Sequence, residues 1–401
     1  MTIDIHVHTT ASEFIDLEAL RPGDPLAFHR SLPGYRLTPL LDVPMFAKQI
    51  GVGRVLVKDE SERLGLPAFK MLGASWATAR AMQREWFPHL AEVTVDALRA
   101  ELDCDTQSVR RLVAATDGNH GRGVARMAGM FGLSCSIFVP AGTAAARIAD
   151  IESEGAVVEV VEGSYDDAIR RSSAEAGATT LVISDTSWDG YTETPADVIV
   201  GYSTMFVEVD EALAAHGAAQ PDLVLFQAGV GSFAAAGLRH YRRPDRREHP
   251  RTVIVEPLRA NCLQRSAREG RLSEAPAPHT STMAGLNCGL PSLLAWPVVE
   301  ASADVFAAID DEFAHTAMAA FASVGIVAGE SGAATLGALL AASDDEGARV
   351  ALGLTPDSVV LIINTEGATD PVNYAAQVGC GPHDVAAQSE RRAANSSTSA
   401  M

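Results

Sequence analysis

Cysteine is scarce in this 401-residue chain: Cys104, Cys135, Cys262, Cys288 and Cys380 are the whole complement, an odd count with no CxxC spacing. That pattern argues against a disulfide scaffold and against a cysteine-based zinc site. His6 and His8 form an isolated HxH with no downstream cluster to complete a ligand set, so no metal is expected. Basic residues are also in deficit, with 31 Lys plus Arg against 51 Asp plus Glu and a formal charge of −20 at pH 7. Nucleic acid is therefore not an expected partner. A phosphate site is still compatible with this charge, because N–H groups at a helix N-terminus hold an anion without a basic surface. The sequence has no run of about 18 apolar residues to span a bilayer. It also opens with neither a basic leader nor an apolar signal core, so a cytoplasmic protein without a membrane partner is expected.

Hydrophobic residues make up 47% and charged residues 20% of the chain, the profile of a globular enzyme-sized protein. The length exceeds a single core, so two are expected. Short β-branched runs alternate with amphipathic or Ala-rich stretches, which predicts an α/β fold with parallel sheets covered by helices. Strands are predicted at Arg54–Val57, Leu112–Ala115, Ser136–Val139, Val157–Val161, Leu181–Ser184, Leu223–Phe226, Thr252–Val255 and Val359–Ile363. Helices are predicted from Phe69 to Arg84, His120 to Met130, Thr143 to Glu154, Pro195 to Ala215, Gly231 to His240 and Ser331 to Ala342. No repeat is visible. From Ala386 the sequence is small and polar without apolar period, and a disordered tail is expected there.

Three segments carry chemistry. In KDESERLGLPAFKMLGASWA a loop follows a strand and Lys70 opens a helix, between Phe69 and Met71. Partial desolvation and the positive helix end both favour a neutral, nucleophilic amine. Taken alone, the segment fits a surface lysine lying along apolar neighbours better. In ATDGNHGRGVARMAG, Gly118, Gly121 and Gly123 let backbone approach a ligand while Asn119 offers an amide; a plain strand-to-helix turn with Asn at the cap reads equally well. In FQAGVGSFAAAGL, Gly229, Val230, Gly231 and Ser232 have the form of a phosphate cradle at a helix start. The dinucleotide fingerprint is not met, because Ala234 stands where the third glycine belongs. Asp185 in SDTSWDGYTETP, and Asn364, Thr365 and Glu366 in NTEGATDP, fall at carboxyl ends of predicted strands, the edge where parallel sheets bind ligands. A capping Asp or a turn-forming Thr is the plainer alternative.

In this order, the segments resemble the fold-type II pyridoxal-phosphate enzymes, the group of serine and threonine dehydratases and the tryptophan synthase β subunit. AFKMLGASWA, ATDGNHGRGVA, SDTSWDGY, QAGVGS, MAGLNCGLPS, GESGAA and NTEGATDP are similar to the diaminopropionate ammonia-lyase family in particular, from about Lys58 to Pro371. The resemblance implies a large domain of residues 1–80 and 190–385 and a small α/β domain of 81–189 inserted between them. Each domain would hold a mainly parallel sheet, with pyridoxal 5′-phosphate in the cleft and a homodimer as the assembly.

It further implies Lys70 as the amine joined to the coenzyme, Asn119 beside its 3′-oxygen, its phosphate on Gly229, Val230, Gly231 and Ser232, and either Asn364 or Thr365 at its pyridine nitrogen. Asp117 stands where most of the wider group has serine, and with Lys70 and Asp185 it completes the implied catalytic set. Lys70 and Asp117 would serve opposite faces of the substrate as bases, and Asp185 would bind or protonate the departing β-amine. The implied reaction eliminates ammonia from the small amino acid 2,3-diaminopropionate, D or L. Aminoacrylate would be released and hydrolyse to pyruvate and a second ammonia. Ala74 and Trp76 stand where relatives have Gly and Tyr, so β-elimination from serine or threonine, or β-replacement, is the alternative. A non-catalytic protein that kept the fold is the remote one. Cys262 and Cys288 flank one segment, as two separate thiols or as a redox-sensitive pair.

Overall fold

The computed structural model describes residues 1–9, 14–21, 23–105, 108–116 and 118–388. Asp117 lies outside the described residues, as does the expected tail from residue 389. Residues 386–388 are helical, which corrects the expected start of that tail.

Among the described residues, eleven strands form two sheets. In chain order they are β1 (Ile3–Val7), β2 (Leu40–Asp42), β3 (Arg54–Asp59), β4 (Arg111–Ala115), β5 (Ser134–Pro140), β6 (Val157–Val161), β7 (Thr180–Val182), β8 (Leu223–Gln227), β9 (Arg251–Pro257), β10 (Val305–Ile309) and β11 (Val359–Asn364). The large sheet has the order β1-β10-β9-β8-β11-β3-β2 and is parallel except for its two antiparallel edges; the small sheet, β6-β5-β4-β7, is parallel throughout. Helices cover both faces of the large sheet, so its central strands are buried on both sides and read as apolar runs, LVLF in β8 and VVLII in β11, each closed by one amide residue, Gln227 and Asn364. Each fully buried Val, Leu or Ile there contributes about 1.5–3 kcal/mol.

All eight predicted strands and six predicted helices form, with ends moved by a few residues. One shift matters: β7 stops at Val182, so Asp185 sits three residues beyond its strand in a loop, not at the strand's end. Three strands escape the pattern. Ile3–Val7 carries Asp4 and His6, Leu40–Asp42 is three residues long, and Val305–Ile309 (VFAAI) is alanine-rich.

The loop from β3 to Lys70 is held from below by buried charge. Arg63 Nη1 and Nη2 donate to Glu208 Oε1 and Oε2 at 2.8 and 2.7 Å, Arg63 Nε donates to Glu60 Oε2 at 2.7 Å, and Lys58 Nζ donates to Glu208 Oε2 at 2.6 Å. Glu208 belongs to the helix Glu193–Ala215, so the network pins the loop to the helix packed beneath it. Burial works against the Glu208 carboxylate, but its bonds to Arg63 and the nearby Lys58 hold its carboxyl well below the usual range. Glu208→Gln should lower the unfolding free energy by about 3–5 kcal/mol in urea titrations, because the two buried cations Arg63 and Lys58 are left to share the single carboxylate of Glu60. The depressed folded value fixes the sign of the pH dependence: this carboxylate's stabilisation is complete above the ordinary glutamate range and is lost as pH falls through the folded value. The wild type should therefore lose more stability on acidification than the Gln variant.

Candidate active site

A cavity of about 650 Å³ opens at the carboxyl ends of the large sheet's strands, facing the loops of the small sheet. That volume suits a coenzyme-sized ligand. Lys70, Asn119, Asp185, Gly229, Val230, Gly231, Ser232 and Thr365 all line it.

Lys70 is the N-cap of the helix Met71–Glu85, and two backbone bonds fix its approach: Phe69 N–H donates to Thr365 O at 3.1 Å and Gly367 N–H donates to Pro67 O at 2.9 Å. The loop carrying the amine is thus stitched to the end of β11. Lys70 Nζ donates to Asp185 Oδ2 at 2.8 Å, which joins a residue following the large sheet's β3 to one following the small sheet's β7. Asp185 is 7% exposed. Burial disfavours its charged form, but the Lys70 ammonium, with the His120 ring and the Tyr165 hydroxyl, holds its carboxyl well below the ordinary carboxylate range. Tyr165 Oη donates to Asp185 Oδ1 at 3.3 Å, and Ser232 Oγ donates to the Asp185 carbonyl at 3.1 Å. One aspartate therefore touches the lysine loop, the glycine loop and the small sheet's helix Tyr165–Ser173.

Asn119 opens the helix Asn119–Phe131 behind Gly118, and its Nδ2 donates to Glu366 Oε2 at 2.7 Å. At the opposite wall Gly231 is the N-cap of the helix Ser232–Tyr241 with φ +98°, a left-handed conformation that glycine adopts without strain. The backbone N–H groups of the Gly229–Ser232 turn and of that helix's first turn make a donor set of the kind that receives phosphate. With an amine at one wall and an anion cradle at another, the residues present fit pyridoxal phosphate.

The structure separates the two adjacent candidates at the end of β11, Asn364 as its last residue and Thr365 just after it. In its parallel register with β3, Asn364 lies opposite Asp59 and gives its Nδ2 to Asp59 Oδ1 and to Val327 O, both at 2.9 Å. It is 0% exposed and off the cavity wall, which corrects its expected place among the coenzyme contacts. Strand alternation turns the next residue, Thr365, to the other side, where it lines the cavity. Glu366, read from the sequence at a ligand-binding strand end, lines the cavity, and so do Gln227 and Tyr165, which the sequence reading did not single out. Gln227 and Glu366 lie inside segments that the sequence marks; Tyr165 carries no local signal. Cys262 and Cys288 are held as thiols, with Cys262 Sγ 3.7 Å from Gly229 O and Cys288 on the cavity wall.

Residues 32–366 match the family described as pyridoxal-phosphate dependent enzymes. The diaminopropionate ammonia-lyase of Escherichia coli (strain K12) is 35% identical over 368 residues, 90% of this chain and 91% of its own length. This chain belongs to the diaminopropionate ammonia-lyase family of pyridoxal-phosphate enzymes. The Salmonella typhimurium diaminopropionate ammonia-lyase is 34% identical, covering 87% of this chain and 89% of its own. The crystal structure of the E. coli enzyme in complex with D-serine has a TM-score of 0.84 at 33% identity, over 94% of this chain and 97% of that one. The fold is thus the fold-type II arrangement, and the family's coenzyme is pyridoxal phosphate. Among the described residues no helix is long and apolar enough to cross a membrane.

Gly231→Ala tests the cradle. A Cβ there meets Ala295 and Leu263 side chains at 3.3 Å and needs a left-handed backbone, so about 1–2 kcal/mol of stability should be lost. Coenzyme retention through dialysis should fall further than melting temperature alone explains; unchanged retention would argue against the cradle.

Proposed function

We propose that this chain is a carbon–nitrogen lyase that eliminates ammonia from 2,3-diaminopropionate, D or L, giving pyruvate and two molecules of ammonia. When bound, pyridoxal phosphate supplies the electron-withdrawing ring that acidifies the substrate's α-proton. The observation that carries the reading is the 2.8 Å contact between Lys70 and Asp185 inside the cavity.

In this reading Lys70 holds the coenzyme and then acts as the base on one face of the substrate, with Asp117 as the base on the other face. A lysine committed to the coenzyme no longer supplies its ammonium to Asp185. The carboxylate is then a buried anion short of its main partner, which favours a substrate bringing a second ammonium into the cavity. Diaminopropionate brings one on its β-carbon; serine and threonine bring a neutral hydroxyl. Asp185 would hold that ammonium, with Tyr165 on its second oxygen. Asn119 and Thr365 would take the ring's 3′-oxygen and nitrogen, and Gly229, Val230, Gly231 and Ser232 its phosphate. Residues 81–189 as the inserted small domain, 1–80 with 190–385 as the large one, a homodimer and a cytoplasmic setting complete the reading.

Keto-acid release from D- and L-diaminopropionate, serine and threonine tests it. The wild type should prefer diaminopropionate, and Lys70→Ala should release nothing. Asp185→Asn should cost about 100- to 10,000-fold in kcat/KM for diaminopropionate, with a smaller loss for serine. An Asn variant that keeps the wild-type preference would refute the role given to Asp185.

A further inference from the structure

Gln227 ends β8 and is 2% exposed, with its side chain in the cavity wall between the ends of β8 and β11. Its Nε2 lies 2.8 Å from the Ile363 carbonyl, 3.3 and 3.4 Å from those of Ser331 and Gly332, and 2.9 Å from Thr365 Oγ1. Three carbonyl oxygens surround that position, and a carbonyl only accepts. The amide therefore has one orientation: turned over, it would press Oε1 against all three. The NH2 group donates one hydrogen to Ile363 and the other to the Thr365 hydroxyl. The opposite atom, Oε1, is buried without a hydrogen-bond partner, so the arrangement keeps its donors satisfied at the expense of its acceptor.

The consequence falls on Thr365. A hydroxyl has one hydrogen and two acceptor positions, and Gln227 occupies one of the latter. The hydrogen cannot point back at Gln227. Among the described residues Thr365 Oγ1 meets no other hydrogen-bond partner, so the hydrogen is left for whatever the cavity presents. A ring nitrogen with a lone pair takes that hydrogen. A protonated ring nitrogen would meet the oxygen instead and leave the Thr365 hydrogen buried with no acceptor.

We propose that Gln227 is a positioning residue that fixes the Thr365 hydroxyl as a donor and thereby keeps the coenzyme's ring nitrogen unprotonated. The proposal rests on the reading of the site given above and adds to it the group that sets the direction of one hydrogen bond. An unprotonated ring withdraws electrons more weakly, which suits elimination over transamination.

The test uses the full-length holoprotein loaded with coenzyme isotope-labelled at the ring nitrogen, read by nitrogen NMR, with attachment at Lys70 checked by peptide mass after reduction. The wild type should show an unprotonated, hydrogen-bonded ring nitrogen at neutral pH. Gln227→Glu keeps the shape but reverses the polarity. Facing three carbonyls, its carboxyl stays protonated, gives its single hydrogen to Ile363 and offers an oxygen to Thr365. The Thr365 hydrogen then turns to that oxygen and the ring nitrogen takes up a proton, seen as a large upfield displacement of its resonance. Gln227→Met, which removes the donor but keeps the bulk, should move the resonance in the same direction by less, and covers the case in which the Glu variant does not fold. Loaded, folded variants whose resonance stays at the wild-type position would overturn the proposal, as would a protonated nitrogen in the wild type. A wild type carrying no coenzyme on Lys70 would instead sink the reading of the site, and the proposal with it.

Discussion

One ion pair connects everything the site does: Lys70 Nζ and Asp185 Oδ2, 2.8 Å apart, contributed by loops that leave different sheets. Neither loop is placed by its own sequence alone. The lysine loop is set by backbone bonds to the end of β11 and by the buried charges around Glu208, and the Asp185 loop by Ser232 and Tyr165. A largely desolvated pair of this kind, with side chains 19% and 10% exposed, is costly to assemble and more costly to break on one side. That asymmetry gives it a use: the partner that leaves must be replaced, and a substrate carrying a second ammonium replaces it.

The sheets explain how such groups converge. Parallel strands send their following loops to one edge, so the residues after β3, β8 and β11 meet there although they are about 160 positions apart in pairs such as Lys70 and Gly229. The small sheet does the same from the other side with Asn119, Tyr165 and Asp185. Hydrogen-bond direction then refines what topology makes adjacent. Gln227 turns a hydroxyl, and Glu366 receives the Asn119 amide, so the polar atoms facing the cavity are oriented before any ligand arrives.

Much of this was legible in the sequence, and the parts that were not share a physical cause. Strands buried on both faces announce themselves as apolar runs, so β8 and β11 were readable; β1, an edge strand with Asp4 and His6, and the three-residue β2 were not. The lysine, the GNH turn and the glycine loop stood out because each needs unusual residues at a strand-to-helix junction. The choice between Asn364 and Thr365 did not, because it depends on the pairing of β11 with β3, which sends one side chain to Asp59 and the next into the cavity. Tyr165 and the buried Glu208 network were invisible for the same reason: their partners are distant in sequence.

The most direct measurement is reduction of the native, coenzyme-loaded protein with borohydride followed by peptide mapping. The account predicts a single modified lysine, the one in the peptide containing Phe69-Lys70-Met71, and protection of that lysine when the coenzyme is first removed. A label on any other lysine, or none at all, would contradict it.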